Sequence, residues 1–404
     1  MRVAIAPSRA VGRVSAPPSK SMAHRALICG ALSEGSRVEN LAFSKDIKAT
    51  IDCLEKLGAN VKTEENGVFI GGLDLSKTEG GSVLFCNESG STLRFILPLC
   101  MTAGKRLTLT GSERLFLRPL GIYESIAAQQ GILFEKTENS VTVCGRLAAG
   151  DYTVSGDVSS QFVSGLLFAL PLLEGDSTLT VTDPFESASY VELTRSMLSR
   201  FGVDIRREGN VFYIKGGKSP KATEYEVEGD CSNAAFLEAF NLLGGEVEVE
   251  GIAADTLQGD RVYKDIFRRL AQGNGEFDLS DCPDLAPICF ALAAALNGAR
   301  FNGTSRLKIK ESDRAAAMAQ ELAKFGVKSE VMENSVTVSC GLNAPNVPLS
   351  GHNDHRIVMS MALLCSVTGG IIEGAEAVSK SYPDFFDRIK GLGIEVEENE
   401  INNG

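Results

Sequence analysis

The chain carries no CxxC pair, no GxxxxGK[ST] loop and only three histidines among its 404 residues. Its ten cysteines (29, 53, 86, 100, 144, 231, 282, 289, 340 and 365) are scattered, mostly inside apolar runs. That pattern reads as reduced thiols of a cytosolic protein acting as small hydrophobes, and it excludes a disulfide framework. The missing phosphate loop removes the common NTPase signature, and nothing marks a dinucleotide site. His352 and His355 stand three residues apart without a third ligand at fixed spacing, so neither a metal nor another cofactor is expected. No apolar run reaches 18 residues, and no basic stretch leads into an apolar one at the N-terminus, which argues against membrane spanning and secretion and for the cytoplasm. Basic charge is also short. With 40 Lys and Arg against 52 Asp and Glu the net charge is −12, the opposite of a nucleic-acid footprint. An acidic protein that binds an anion must gather its cations locally.

What is there is repetition. The length suits two domains with large cores, and 44% apolar with 23% charged residues is globular. One recurring segment is an amphipathic helix closed by Gly and followed by an alternating strand. It appears as "CLEKLGANVKTEENGVFIGG" from Cys53, "SIAAQQGILFEKTENSVTVCG" from Ser125 and "SMLSRFGVDIRREGNVFYIKGG" from Ser196. It returns as "QELAKFGVKSEVMENSVTVSCG" from Gln320 and, shortened, "FDRIKGLGIEVEENEI" from Phe386. A second segment is a polar cluster opening an apolar helix, beginning at Lys20, Gly90, Ser160, Asp230, Asp284 and Asp354, at intervals of 70, 70, 70, 54 and 70 residues. The short interval is where "RRLAQGNGEFDLSD" has lost its hairpin.

The expectation is an α/β protein of six strand-and-helix units, three in 18–227 and three in 1–17 plus 228–404. The chain would cross between the halves twice, and the strand Arg2 to Ala6 would complete the second half. The second-type helices are apolar nearly all round and should be buried, with only their N-termini wet. Such ends combine unsatisfied N–H groups with a positive dipole end, which favours anions.

The residues at those ends are far from random. The first has Lys20, Ser21 and Arg25; the second Ser89, Gly90, Ser91 and Arg94; the third Ser159, Ser160 and Gln161. The fifth has Asp284, and the sixth Asp354, His355 and Arg356. "KIKESDR" (308–314) opens a first-type helix, while Arg118 and Lys380 sit in loops near Pro119 and Pro383. Ser89, Asp230 and Asn353 read as ordinary caps. Arg25 and Arg94 lie four or five residues into apolar helices, where a guanidinium needs an anion or a carboxylate beside it. The six ends are expected to meet in one cleft gathering Lys20, Arg25, Arg94, Arg118, Lys310, Arg314, Arg356 and Lys380. Asp284 and Glu311 stand among these cations as natural proton carriers. Ligands with several negative charges, phosphates plus carboxylates, follow.

"PPSKSMAHRAL", "SGDVSSQF", "KIKESDR", "NDHR" and "KSYPDFF" together resemble the 5-enolpyruvylshikimate-3-phosphate synthase family of enolpyruvyl transferases, in order and over essentially the whole chain. The resemblance implies an inside-out α/β barrel pair with three repeated units per domain and, by default, a monomer. It implies two small-molecule substrates and no nucleic-acid or membrane partner. Shikimate 3-phosphate would be held by Lys20, Ser21, Arg25, Ser159, Ser160, Gln161, Ser187, Asp284, Arg306 and Lys310, with Tyr190 near its ring or phosphate. The phosphate of phosphoenolpyruvate would meet Lys20, Gly90, Arg118, Gln161 and Lys380, and its carboxylate Arg314 and Arg356. Asp284 would take the proton of the 5-hydroxyl, Glu311 would exchange one at the methylene carbon, and Lys20, between the substrates, would assist. Domain closure would shield the intermediate from water.

Two positions depart from the family pattern. "NESGST" (87–92) is one residue longer between Asn87 and Gly90 than the usual Asn-Ala-Gly-Thr, and Arg306 stands where Asn is common. The sister transferase acting on UDP-N-acetylglucosamine shares the fold but typically carries a loop cysteine, which "GSERLFLRPLG" lacks. A ring-shaped DNA clamp, also built of repeats, would line its hole with exposed Lys and Arg rather than bury apolar helices with charged tips.

Overall fold

The computed structural model describes residues 1–273 and 275–399. It divides into two compact units, Pro18–Glu228 and Met1–Pro17 with Gly229–Gly404. Each has its own hydrophobic core. No helix among the described residues is long and apolar enough to cross a membrane.

In Pro18–Glu228 three helices are almost wholly buried: Lys20–Ala31, Gly90–Ala103 and Ser160–Ala169. Their apolar residues leave no polar stripe for solvent, so neighbouring helices and sheets must cover them on every side. Gly90–Ala103 and Ser160–Ala169 approach closely because Gly165 has no side chain. A Cβ there would stand 2.3 Å from the Arg94 carbonyl oxygen. Pro98, inside the first of these helices, has no N–H for the Arg94 carbonyl one turn earlier. The buried Tyr123 hydroxyl donates to that carbonyl at 2.7 Å in its place.

The unit also holds three four-stranded sheets. One runs Val83–Phe85, Leu107–Thr110, Ser140–Cys144, Leu133–Lys136; another Asp151–Ser155, Ser177–Thr182, Val211–Ile214, Arg206–Glu208. The third is Glu224–Glu226, Ser36–Glu39, Gly67–Gly71, Asn60–Glu64. In each, the first pair is parallel and the next two antiparallel. Alternation sets the faces: Leu107 and Leu109 are buried, while Thr108 pairs its hydroxyl with Thr142 across the strands at 2.8 Å.

The other unit buries Cys231–Leu242, Ala286–Ala295 and His355–Thr368. The same strand pattern recurs in Glu276–Asp278, Ala299–Asn302, Ser335–Val338, Ser329–Val331 and in Leu349–Ser350, Gly370–Glu373, Arg2–Ile5, Val396–Asn399. Among the described residues its remaining sheet is the parallel pair Glu246–Glu250 and Val11–Ser15. Helix Tyr263–Gln272 ends there at Gly273 with φ 151°, and the next strand, Glu276–Asp278, belongs to a different sheet. Elsewhere the closing glycines turn the chain back into a hairpin from the left-handed region, as at Gly58 (φ 116°) and Gly326 (φ 79°).

Two expected helix starts shift. The helix placed at Asp284 begins at Ala286, because Pro283–Leu285 forms a 3₁₀ turn ahead of Pro287. Asn353 is not a cap: it and His352 take left-handed φ values of 53° and 47°, and Asp354 is the first extended residue and caps the helix.

Candidate active site

The candidate residues fall on both units, and each set is built from helix N-termini. In Pro18–Glu228, Ser19 caps Lys20–Ala31, and Lys20 reaches the Asp46 carboxylate at 2.9 Å. Ser89 caps Gly90–Ala103 by accepting from the Thr92 N–H at 3.1 Å. A buried hydroxyl chain supports that cap: Thr92 to Ser89 at 2.7 Å, Thr50 to Thr92 at 2.6 Å, and the His24 ring to Thr50 at 2.7 Å. Burial first, and then the charges of Lys20 and Arg25, hold His24 well below its usual range, so its ring is neutral.

Arg25 is buried, 3% exposed, and its hydrogen-bond partners are all neutral: the Ser21 carbonyl (2.6 Å), the Tyr190 carbonyl (2.8 Å) and the Thr194 hydroxyl (2.8 Å). The carboxylate expected beside it is therefore not its counterpart. Its guanidinium lies over the Phe95 ring at 5.1 Å, and burial lowers it to about 10. Arg94 donates to Gln161 Oε1 at 3.0 Å and to the Pro119 carbonyl at 3.1 Å, and lies over Phe162. Gln161 donates onward to Ser91 at 3.0 Å, tying the second and third helix starts together. Ser159 caps the third helix, with Ser160 buried behind it. The Arg118 guanidinium packs on Gly90 so closely that a Cβ there would stand 2.5 Å from Nη1. Ser187 is buried at the start of helix Ala188–Arg200, in the left-handed region (φ 54°), and Asn87 shares that conformation (φ 54°).

In the other unit the charges interlock. Asp284 lies 2.8 Å from Arg314 Nη1, 3.0 Å from Arg356 Nη2 and 3.3 Å from Lys310 Nζ. Arg314, 1% exposed, also bonds Glu311 at 2.7 Å and Asp354 at 2.9 Å. Asp354 accepts from the Ser312 hydroxyl at 2.9 Å and from the Arg356 backbone N–H at 3.0 Å, so one carboxylate holds the Arg314 guanidinium and the helix start that carries Arg356. Burial pushes the Asp284 carboxyl up, but Arg356, Lys310 and Arg314 outweigh it and hold it well below the usual carboxylate range. Burial likewise lowers Lys310, against the pull of Asp284. Arg306 donates to the Ser280 carbonyl at 2.6 Å, and Lys380 to the Asn353 carbonyl at 2.6 Å. Asn353 itself is set by a neighbouring anchor: Glu321, 1% exposed, meets the His352 ring and Lys324 at 2.8 Å and the Ser350 N–H at 2.9 Å.

Reading the sequence missed Asp46, Asp260 and Glu321. Asp260 bonds the Ser232 hydroxyl, and its carboxyl rises to about 6 through burial first and Asp284 second, with Arg356 opposing. It lies in the 54-residue interval where the repeat is broken, so alignment of the units gave no signal. Glu321 looks like any surface charge of an amphipathic helix. Among the described residues no three His, Cys, Asp or Glu side chains form a metal-holding group.

A model of the EPSP synthase family (3-phosphoshikimate 1-carboxyvinyltransferase) matches residues 5–389. The chain belongs to the EPSP synthase family. It is 40% identical to the 3-phosphoshikimate 1-carboxyvinyltransferase of Clostridium kluyveri, over 98% of each chain, and 37% identical to that of Clostridium novyi, again over 98% of each. The solved EPSP synthase of Acinetobacter baumannii superposes with a TM-score of 0.78 at 23% identity, covering 98% of this chain and 100% of that one. That likeness shows a shared α/β fold.

Proposed function

We propose that the chain transfers the enolpyruvyl group of phosphoenolpyruvate to the 5-hydroxyl of shikimate 3-phosphate and releases phosphate through a tetrahedral intermediate. The observation that carries this reading is Arg314: it holds two partly exposed carboxylates, Asp284 and Glu311, and the first of them also meets Lys310 and Arg356. Cations for an anionic substrate and two proton carriers stand within one hydrogen-bonded group. Family membership at 40% identity over nearly the full chain supports the substrate pair.

Shikimate 3-phosphate is assigned to Lys20, Ser21, Arg25, Ser159, Ser160, Gln161, Ser187, Asp284, Arg306 and Lys310, with Tyr190 beside it. Arg25 supports that assignment, since a buried guanidinium with neutral partners lacks a counter-charge that an anionic substrate supplies. The phosphate of phosphoenolpyruvate is assigned to Lys20, Gly90, Arg118, Gln161 and Lys380, and its carboxylate to Arg314 and Arg356.

The enol phosphate accepts a hydroxyl only once its methylene carbon takes a proton, which gives oxocarbenium character at C2. Glu311 supplies that proton as its acid form while Asp284 takes the proton of the 5-hydroxyl, and the C–O bond forms. In elimination the C–O bond to phosphate breaks, Glu311 recovers a proton from the new methyl group, and Asp284 gives its proton up toward the departing phosphate. Lys20, Arg118 and Lys380 offset charge on that phosphate. We assign each unit one half of an inside-out α/β barrel pair with three repeats, and a cytoplasmic monomer as the working form.

Phosphate release on mixing shikimate 3-phosphate, phosphoenolpyruvate and the purified protein tests the reading. Asp284→Asn and Glu311→Gln should each lose at least ~10²-fold in rate, the scale of one general acid–base group. Wild-type turnover in either variant would remove its role, and release supported by UDP-N-acetylglucosamine instead would move the chain to the sister activity.

A further inference from the structure

A guanidinium has five N–H donors and no more. Arg314 has committed four of them: Nε to Asp354 at 2.9 Å, Nη1 to Asp284 at 2.8 Å, and Nη2 to Glu311 at 2.7 Å and to Asp354 at 3.5 Å. One donor cannot grip an incoming carboxylate in the two-bond geometry that makes such pairs strong. A substrate carboxylate that binds Arg314 must therefore take the place of a protein carboxylate.

The three candidates for displacement differ. Asp354 is fully buried, receives the Ser312 hydroxyl and caps helix His355–Thr368 through the Arg356 N–H. Removing it would undo a helix start. Asp284 and Glu311 keep side-chain exposures of 21% and 22% and can swing toward solvent or substrate. Arg356 shares the Asp284 partner but is less committed: one donor of each Nη group goes to Asp284, one to the side chain and one to the carbonyl, and three of its five donors remain.

We infer that the carboxylate of phosphoenolpyruvate enters by exchange: it displaces Asp284 and Glu311 from Arg314, while Asp354 stays as the permanent positioning residue of the Arg314 guanidinium and of the helix start that carries Arg356. The inference rests on the reading above and adds a gate to it. Before exchange both proton carriers are tied up as counter-ions. Exchange gives the arginines a new carboxylate and releases both groups at the moment their proton chemistry is needed. The depressed Asp284 carboxyl fits this order, because it is a poor base until Arg356, Lys310 and Arg314 are shared with substrate.

The test is binding of 2-phospholactate, a saturated analogue that keeps the carboxylate and phosphate but cannot react. It is titrated by calorimetry into the full-length protein saturated with shikimate 3-phosphate, with ethyl phosphate as the carboxylate-free probe. Asp284→Asn and Glu311→Gln should each bind 2-phospholactate at least about fivefold more tightly than wild type, because an internal competitor is gone. Ethyl phosphate should change less than about twofold. Asp354→Asn, and the milder Ser312→Ala, should weaken 2-phospholactate binding instead. Unchanged or weaker 2-phospholactate binding in the first two variants overturns the exchange. An equal gain for both probes also overturns it, since that would be a field effect on any anion. Tighter binding in Asp354→Asn or Ser312→Ala would remove the distinction drawn for Asp354. Wild-type phosphate release is measured alongside. If wild type releases none, the functional reading fails; if it releases phosphate but the gain is absent, only the exchange fails.

Discussion

Arg25→Met separates a side chain kept for the fold from one kept for a ligand. In the folded protein burial is the leading cause that lowers the guanidinium to about 10, well below its usual value. At roughly 1.4 kcal/mol per factor of ten, holding it charged costs about 3 kcal/mol. The sign follows from the direction. A base whose folded value is depressed destabilises the folded state at every pH below that value, and the penalty fades only as pH rises above about 10. Against this stand three hydrogen bonds to neutral acceptors, together worth about 3 kcal/mol at a net 1 each. Methionine keeps the apolar contact with Phe95 and removes both terms. Stability in urea should therefore change by less than about 1.5 kcal/mol, although a fully buried charge has been deleted. Affinity for shikimate 3-phosphate should fall by at least ~10²-fold, the scale of leaving a desolvated anion without its partner. Denaturant melts with and without shikimate 3-phosphate measure both quantities on one sample. A variant that loses more than about 3 kcal/mol yet still binds would show that Arg25 is a structural residue, and the argument from neutral partners would be wrong.

Gly90→Ala places a methyl group 2.5 Å from Arg118 Nη1 and must push that guanidinium aside; the KM for phosphoenolpyruvate should rise by roughly tenfold or more, with shikimate 3-phosphate binding held within about twofold. Tyr123→Phe leaves the Arg94 carbonyl beside Pro98 without its donor and should cost about 1–3 kcal/mol in a urea melt. Burial raises the Glu321 carboxyl, but His352 and Lys324 hold it below its usual 4.5. Its contribution is thus complete above that value and lost as pH falls through the lower folded one. Glu321→Gln should destabilise by about 3 kcal/mol at pH 7 and show a flatter acid limb in stability against pH.

Parts of the site are written locally, and those were legible. Ser89 and Asp230 each stand directly before an apolar run, and each caps its helix as a short polar side chain there should. Where two short polar residues adjoin, as in Asn353–Asp354, the run alone cannot choose between them; the choice is made by the two left-handed residues before Asp354, His352 and Asn353, the first of which Glu321 holds from another helix. Pairing of charge is less legible still. The acceptors of Arg25 at Tyr190 and Thr194 lie 165 and 169 residues away, and Arg314 takes Asp284 and Asp354 from 30 and 40 residues to either side. Counting cations near helix starts therefore points to a candidate anion site without showing which cations are already spoken for. That difference has chemical weight. Arg25 and Arg314 look alike in sequence, but the first is a buried charge with neutral partners and the second is crowded by three carboxylates. The first should bind its anion by addition, and the second only by exchange.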